Sequence, residues 1–315
     1  MAAAAARKWA ARCGWAVVVV LGWAALLPSA FSGGGASPRS SRASLAPWLT
    51  LPPRTRSVAR WDGSGEPLAP SAAVSELLAA IEGTERGVKA TAEQKEQIFR
   101  LITQLEEAGE GRDYLEEGSV FGKYEVAYVG APSSRVANPA GGRWRGGLGR
   151  LLCPTRGLYQ HLLKIPADPS EGKDSGPSNA DATAVNLLEV ALLGLLPVAV
   201  VLHGPARRLS PSERAAVSSE RATPGGLSAN AVRANFEAPR LALGSRGRGL
   251  LGLARHIPPL RLRAGPRTSV VLDASYVDER VRIGKGASGI RFVFTRAEED
   301  PNADIWQRVL AGRPF

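Results

Sequence analysis

The chain has 315 residues, 44% of them hydrophobic and 22% charged, with a formal net charge of +11. A balance this basic suggests nucleic acid or an anionic membrane as partner. Its distribution removes most of that lead: eight basic side chains and no acid precede Asp62, which leaves 32 basic against 29 acidic residues, about +3, for the remainder, and no nucleic-acid partner is expected.

The acid-free leader has internal order. Arg7, Lys8 and Arg12 precede an apolar run over residues 14–27 that ends at Pro28-Ser29-Ala30, before Phe31. This is the order of a secretory signal, and the run falls short of the roughly twenty residues a transmembrane helix needs. Residues 32–60 are rich in Ser, Arg, Pro and Gly, the composition of a plastid transit peptide. Two readings stand. One is a signal peptide over 1–30 followed by a transit-like segment over 31–67, similar to the two-part leaders of algae whose plastids lie within extra membranes. The other is an ordinary secreted protein with a disordered basic arm. Cys13 lies in the leader and Cys153 is alone downstream. No intramolecular disulfide is then possible once the leader is removed, which favours an organelle interior.

About 250 residues remain, enough for one large domain with a sizeable core. Residues 71–81 place Val74, Leu77, Leu78 and Ile81 at helical spacing up to Gly83. Thr91 and Gln94 form a capping-box pair, and Ile98, Leu101, Ile102 and Leu105 then repeat at i, i+3, i+4 and i+7 as far as Gly109. That stripe reads as a packing face, with docking to a partner or membrane surface as the alternative. From Lys123 the period changes to two. Strands are predicted at 124–129, 185–192, 198–202, 240–243, 260–262, 269–273, around Val281 and Ile283, and at 290–295. The apolar stretch 184–202 contains Asn186, Glu189, Gly194 and Pro197, which suits two strands and a turn rather than a membrane span. Pro- and Gly-rich segments at 131–149 and 166–183 read as long exposed loops. Two helices followed by many short strands predict a mainly β fold, a barrel or sandwich with an N-terminal helical cap.

Gly284, Gly286 and Gly289 match G-x-G-x-x-G. A dinucleotide fingerprint requires a helix after the glycines, and here Ile290, Phe292 and Phe294 alternate with Arg291, Val293 and Thr295 as in a half-buried strand. The stretch reads as strand, glycine-rich turn, strand. His161, His203 and His256 lie far apart, with no Cys or carboxylate at metal-ligand spacing. Neither a phosphate loop nor a nucleophile elbow occurs. No catalytic residue, metal or cofactor is expected.

Several segments, in order, resemble the plastid lipid-associated proteins, or plastid fibrillins. These are residues 77–87 with the helix that follows, Gly122-Lys123-Tyr124-Glu125-Val126-Ala127-Tyr128, residues 154–160, the strand at 186–195, and residues 275–286 with 289–294. The last stretch is the most specific, being similar to the family's Tyr-x-Asp strand, Arg-Ile-x-Arg-Gly turn and Phe-Val-Phe strand. The resemblance implies a lipocalin-like antiparallel β-barrel capped by two α-helices, over residues 68–296, with 297–315 a short tail or helix. It also implies a non-enzymatic role in holding plastid lipids such as carotenoids or prenylquinones at thylakoids or plastoglobules. The alternatives are a structural coat of lipid droplets or thylakoid margins, and a scaffold for a prenylquinone-synthesis enzyme. Candidate wall residues are Tyr124, Val126, Tyr128, Phe292 and Phe294, whose plainer role is core. Asp273, Tyr276, Asp278, Arg280 and Arg282 crowd the closing hairpin as a candidate polar rim, either an ion-pair network or a contact for a lipid head group.

Overall fold

The computed structural model describes residues 69–130, 154–165, 182–192, 194, 196–220, 226–244, 260–261, 268–286 and 290–313. The leader over 1–67, the loop at 131–149, nearly all of that at 166–183, Cys153 and His256 lie outside them.

Helix α1 (Pro70–Ile81) starts with proline at its first position, where no N–H is needed, and buries Ala73, Val74, Leu77 and Ile81. Helix α2 (Ala92–Ala108) has the predicted capping box: Thr91 Oγ1 accepts the Gln94 N–H at 3.2 Å, and Gln94 Oε1 accepts the Thr91 N–H at 3.0 Å. Ile98, Leu101, Ile102 and Leu105 form its buried stripe, as their spacing predicts. Both helices pack on one outer side of the sheet, over Tyr128, Tyr276, Val281, Ile283 and Val293.

The strands are β1 (Tyr124–Gly130), β2 (Thr155–Lys164), β3 (Ala182–Leu192), β4 (Leu196–Arg208), β5 (Ala231–Phe236), β6 (Arg240–Leu243), β7 (Leu260–Arg261), β8 (Thr268–Val277), β9 (Val281–Gly286) and β10 (Arg291–Arg296). All pairings are antiparallel. Eight strands, in the order β1-β2-β3-β4-β5-β8-β9-β10, close on themselves through β10 and β1. Of the two predicted outcomes, barrel and sandwich, the fold is the barrel. β4 is long enough to serve two neighbours: residues 206–208 pair with β5, and 198–201 pair with β6, which with β7 extends the sheet beyond the barrel. The stretch 184–202 is the expected pair of strands, with Leu192 opposite Leu196 and Gly194 at φ +71° in the turn. Among the described residues no helix is long and apolar enough to cross a membrane.

Three elements escape the periodicity reading. β2 is buried on both faces over six successive residues, so it shows no alternation. β5 is short. Helix α3 (Pro211–Glu220) does carry a signal in its sequence, a second capping box in which Glu213 N–H donates to Ser210 Oγ at 3.3 Å and Ser210 N–H to Glu213 Oε2 at 3.1 Å. The C-terminal stretch forms a short 3-10 helix (Pro301–Asp304) and helix α4 (Ile305–Leu310), packed against Tyr159, Val185, Leu187, Val201 and Ala242 on the outside of the barrel.

The glycine motif sits in the β9–β10 hairpin. A strand follows it instead of a helix, and Gly286 N–H donates to Ile290 O at 2.8 Å. Gly284 is needed for space: a Cβ there would stand 3.0 Å from Phe294 Cε2 and 3.4 Å from Leu272 Cδ2, so the Phe294 ring fills the room the missing side chain leaves.

Candidate functional site

The inner faces of the strands enclose two merging apolar clusters. Near one end Leu162, Ala184, Ala206, Ala234, Phe236, Val270 and Ala274 meet. Toward the other, Tyr124, Val126, Val129, Leu158 and Phe294 meet Leu188, Leu272 and Phe292. The segment between α2 and β1 stoppers the first end, with Tyr114 and Val120 packed into its cluster. Arg296 holds that stopper through Nη2 to Ser119 O at 2.8 Å and Nη1 to Phe121 O at 3.2 Å, and Asn230 Nδ2 reaches Arg112 O at 2.8 Å.

What remains of the lumen is a cavity of about 30 Å³, between Gln160, Leu162, Ala184, Phe236, Leu272, Arg282 and Phe294. One water needs roughly 10–15 Å³ by this measure, so the space suits about two waters, whereas small-molecule sites run to about 300–1,000 Å³. In this state the barrel is mostly filled by its own side chains.

Four of the five candidate wall residues line this interior. Tyr124 is fully buried and meets Phe294 edge-on, with ring centroids 6.4 Å apart and planes at 68°. Phe294 in turn stacks on Phe292 at 5.8 Å. Val126 joins their cluster. Tyr128 does not. A bulge between Val126 and Tyr128 shifts the register against β10, so that Tyr128 sits beneath α1 and α2 in the outer cluster and Val129 takes the inward place. The strict alternation expected over 124–128 breaks there.

The candidate rim disperses as well. Asp273 is buried, and its carboxylate accepts the Ser228 N–H at 2.8 Å together with the Ser228 hydroxyl. Tyr276 lies under the helices and donates to Asp278 Oδ2 at 3.1 Å; burial and the Asp278 charge push its hydroxyl up to about 12. Asp278 Oδ1 accepts the backbone N–H groups of Arg280 and Val281, both at 2.7 Å, which fixes the β8–β9 turn. Arg280 is exposed and donates to Ser75 Oγ of α1 at 2.8 Å. Arg282 enters the lumen, whose cavity Asp273 also borders. Arg282 is 5% exposed, its Nη2 donates to Gln160 Oε1 at 2.9 Å, and its guanidinium lies over the rings of Tyr124 and Phe294 at 4.2 and 4.3 Å. Burial brings its pKa down to about 10.

The lumen has a thin side. β1 and β2 share a single ladder pair, Glu125 with Tyr159, besides an isolated bridge between Gly122 and Leu162. Beyond that pair the open edge of β1 is covered by the turn after α1. Arg86 Nε donates to Val126 O at 3.1 Å, Arg86 Nη2 to Glu125 Oε1 at 3.0 Å, and Val129 N–H to Arg86 O at 3.3 Å. To do this Arg86 adopts φ +59° and Glu85 φ +49°, a region uncommon for non-glycine residues. Outside the seam runs an open groove of about 680 Å³, with Leu78, Ala79, Ile81 and Ala127 as apolar wall and Glu82, Glu85, Arg86 and Glu125 at its margin. Among the described residues no group of His, Cys, Asp or Glu side chains is placed to hold a metal ion.

A model of the family described as PAP_fibrillin matches residues 71–141 of this chain, from α1 through β1. The chain is also similar to the probable plastid-lipid-associated protein 8, chloroplastic, of Arabidopsis thaliana. The two are 24% identical over 229 residues, which is 73% of each chain. No solved structure matches it.

Proposed function

Since the chain belongs to the PAP/fibrillin family of plastid lipid-associated proteins, we propose that it is a non-enzymatic plastid protein that takes one hydrophobic lipid, of the carotenoid or prenylquinone kind, into its barrel. The supporting observation is the relation between lumen, seam and groove. A mainly apolar lumen is separated from a groove with an apolar wall and a charged margin by a seam that holds one ladder pair, one isolated bridge and the Tyr124–His161 bond, with the Arg86 turn laid along the edge of β1. Parting β1 from β2 breaks fewer hydrogen bonds than opening the β2–β3 or β3–β4 ladders, which run nearly the full length of their strands. Widening the lumen by this route lets a tail displace Phe294, Phe292 and Leu272 while the rest of the barrel stays closed. The two-part leader over 1–30 and 31–67 delivers the protein to the plastid, where it sits at thylakoids or plastoglobules.

The test is to incubate purified protein with plastid membrane lipids, re-isolate it and identify bound lipid by mass spectrometry. Lipid should remain with the wild type and be lost from a variant carrying Ala184→Val and Ala234→Val, which fills the cavity. A wild type that retains no lipid overturns the proposal. The small volume of the present lumen favours a second reading, in which the groove itself adheres to droplet or membrane surfaces as a coat. On that reading the filled variant floats with droplets as well as the wild type does.

A further inference from the structure

The lumen contains a cation and an amide that the fold leaves incompletely answered. Every interaction of the Arg282 side chain among the described residues is accounted for by Gln160 and the rings of Tyr124 and Phe294, and no carboxylate lies within ion-pair distance of it. Directly across the β2–β3 ladder from Gln160 stands Asn186, 3% exposed, whose Oδ1 and Nδ2 both lack a partner among the described residues. Asn186 shares the inner face of β3 with Ala182 and Ala184, since Val185 and Leu187 pack outside against the C-terminal helix. Gln160 and Asn186 on the paired strands β2 and β3, and Arg282 on β9, which bonds Gln160 across the lumen, therefore gather in one region of the interior. The cavity there is lined elsewhere mainly by apolar side chains, with His161, Asn230 and Asp273 as the other polar members.

An isolated buried cation is expensive, and so is a buried amide with nothing to bond. A buried polar group without a protein partner calls for an explanation, and a bound ligand that completes it is one. The chemistry selects the ligand. A guanidinium offers a planar fork of N–H donors that fits the two oxygens of a carboxylate, and the amide Nδ2 of Asn186 adds a further donor. A neutral hydroxyl or ketone would occupy the donors and leave the charge uncompensated. Arg296, over the Tyr124 ring at 5.0 Å, does not answer this charge, and its own is met by Glu298 at 3.2 Å. The apolar part of the remaining wall, Leu162, Ala184, Val232, Ala234, Phe236 and Leu272, is suited to an aliphatic tail, while the Asp273 carboxylate, also on the wall, is already bonded to Ser228.

We propose that Arg282, with Gln160 and Asn186, forms a head-group site inside the barrel for the carboxylate of a long-chain aliphatic acid. The proposal rests on the reading that the lumen admits a lipid, and it names the class of lipid that the polar groups select.

The experiment titrates the full chain with cis-parinaric acid and with its methyl ester, following probe fluorescence, and repeats the acid titration with acetate as competitor. The acid should bind about tenfold or more tightly than the ester, as charge-assisted hydrogen bonds require, and millimolar acetate should leave it in place. Arg282→Gln should remove the preference and keep ester binding, whereas Arg282→Lys should retain part of it. Asn186→Leu should weaken the acid alone. Equal binding of acid and ester by the wild type overturns the head-group site and leaves lipid entry standing. Displacement by acetate reduces the site to one for small anions and overturns the proposal. Binding of neither probe overturns both readings. The wild-type comparison decides the matter even if Arg282→Gln fails to fold.

Discussion

The imidazole of His161 on β2 takes the backbone N–H of Tyr124 on Nδ1 at 3.1 Å and donates from Nε2 to Ala303 O at 2.8 Å, so one neutral ring ties β1 across the thin seam to β2 and to the short 3-10 helix. Both bonds require the Nε2–H tautomer, since a doubly protonated ring could not accept from Tyr124. Burial, the largest cause, lowers the His161 pKa from 6.5 to about 4. The folded state thus binds fewer protons than the unfolded chain between these values. Its contribution is complete above pH 6.5 and is lost as the pH falls toward 4, an effect of about 3 kcal/mol. Urea unfolding at pH 7 and pH 4.5 should show this loss in the wild type and a much flatter dependence in His161→Gln. Equal slopes in the two proteins would refute the assignment.

Gly204 lies where β4 turns from β6 toward β5, and a Cβ there would stand 2.0 Å from Asn235 O and 3.1 Å from the Phe236 Cα. Both obstacles are backbone, so the strands must separate to admit a methyl group. Gly204→Ala should destabilise by about 3 kcal/mol or more. Gly286→Ala is the control: its nearest contact, Phe292 Cε2 at 3.4 Å, is an ordinary one, and a change of less than about 1 kcal/mol is expected. Chemical denaturation of both variants checks the pair.

Removing the unanswered charge from the lumen should stabilise the ligand-free protein. Arg282→Met combined with Gln160→Leu replaces a buried ion and its single hydrogen-bond partner by apolar groups without orphaning the amide. The lost stacking on Tyr124 and Phe294 offsets part of the gain, at about 2 kcal/mol against a desolvation penalty of several. A net increase of about 1 kcal/mol, or roughly 2–4 °C in Tm, is expected by calorimetry. A large fall in Tm would mean that the guanidinium is a structural member of the core.

Arg86→Ala deletes the side-chain bonds to Val126 O and Glu125 while leaving the left-handed turn in place. The cost should be about 1–2 kcal/mol. Hydrogen exchange should speed up at the amides of β1 and remain unchanged in β3, whose ladders are continuous on both sides. Uniform acceleration across the barrel would show that the strap supports global stability and not the seam.

Much of the fold is legible in the residues. The capping box at Thr91 and Gln94, the stripe on α2 and the two-strand reading of residues 184–202 follow from local pattern, and the structure places them so. The site is harder to read because β9 is buried on both faces. Val281 and Ile283 look like the inward set, yet they face the helices, and the residue that alternation assigns to solvent, Arg282, faces the lumen. Binary pattern assumes one wet face, and helices packed outside a barrel remove it. Tyr128 misleads for a different reason: a bulge inverts facing partway along a strand and leaves no trace in composition. The Ser210 and Glu213 pair, by contrast, was a readable start signal for α3.

The register of Tyr124 against Arg296 has a consequence for how the molecule comes into being. The first strand of the barrel waits for the last one synthesised, so no N-terminal fragment can close the ring. Ring closure joins segments far apart along the chain and comes late and slowly, after the local hairpins have formed. Until then the apolar inner face stays open, and on the proposed reading the moment of closure is the occasion on which a first guest would be enclosed without any door having to open.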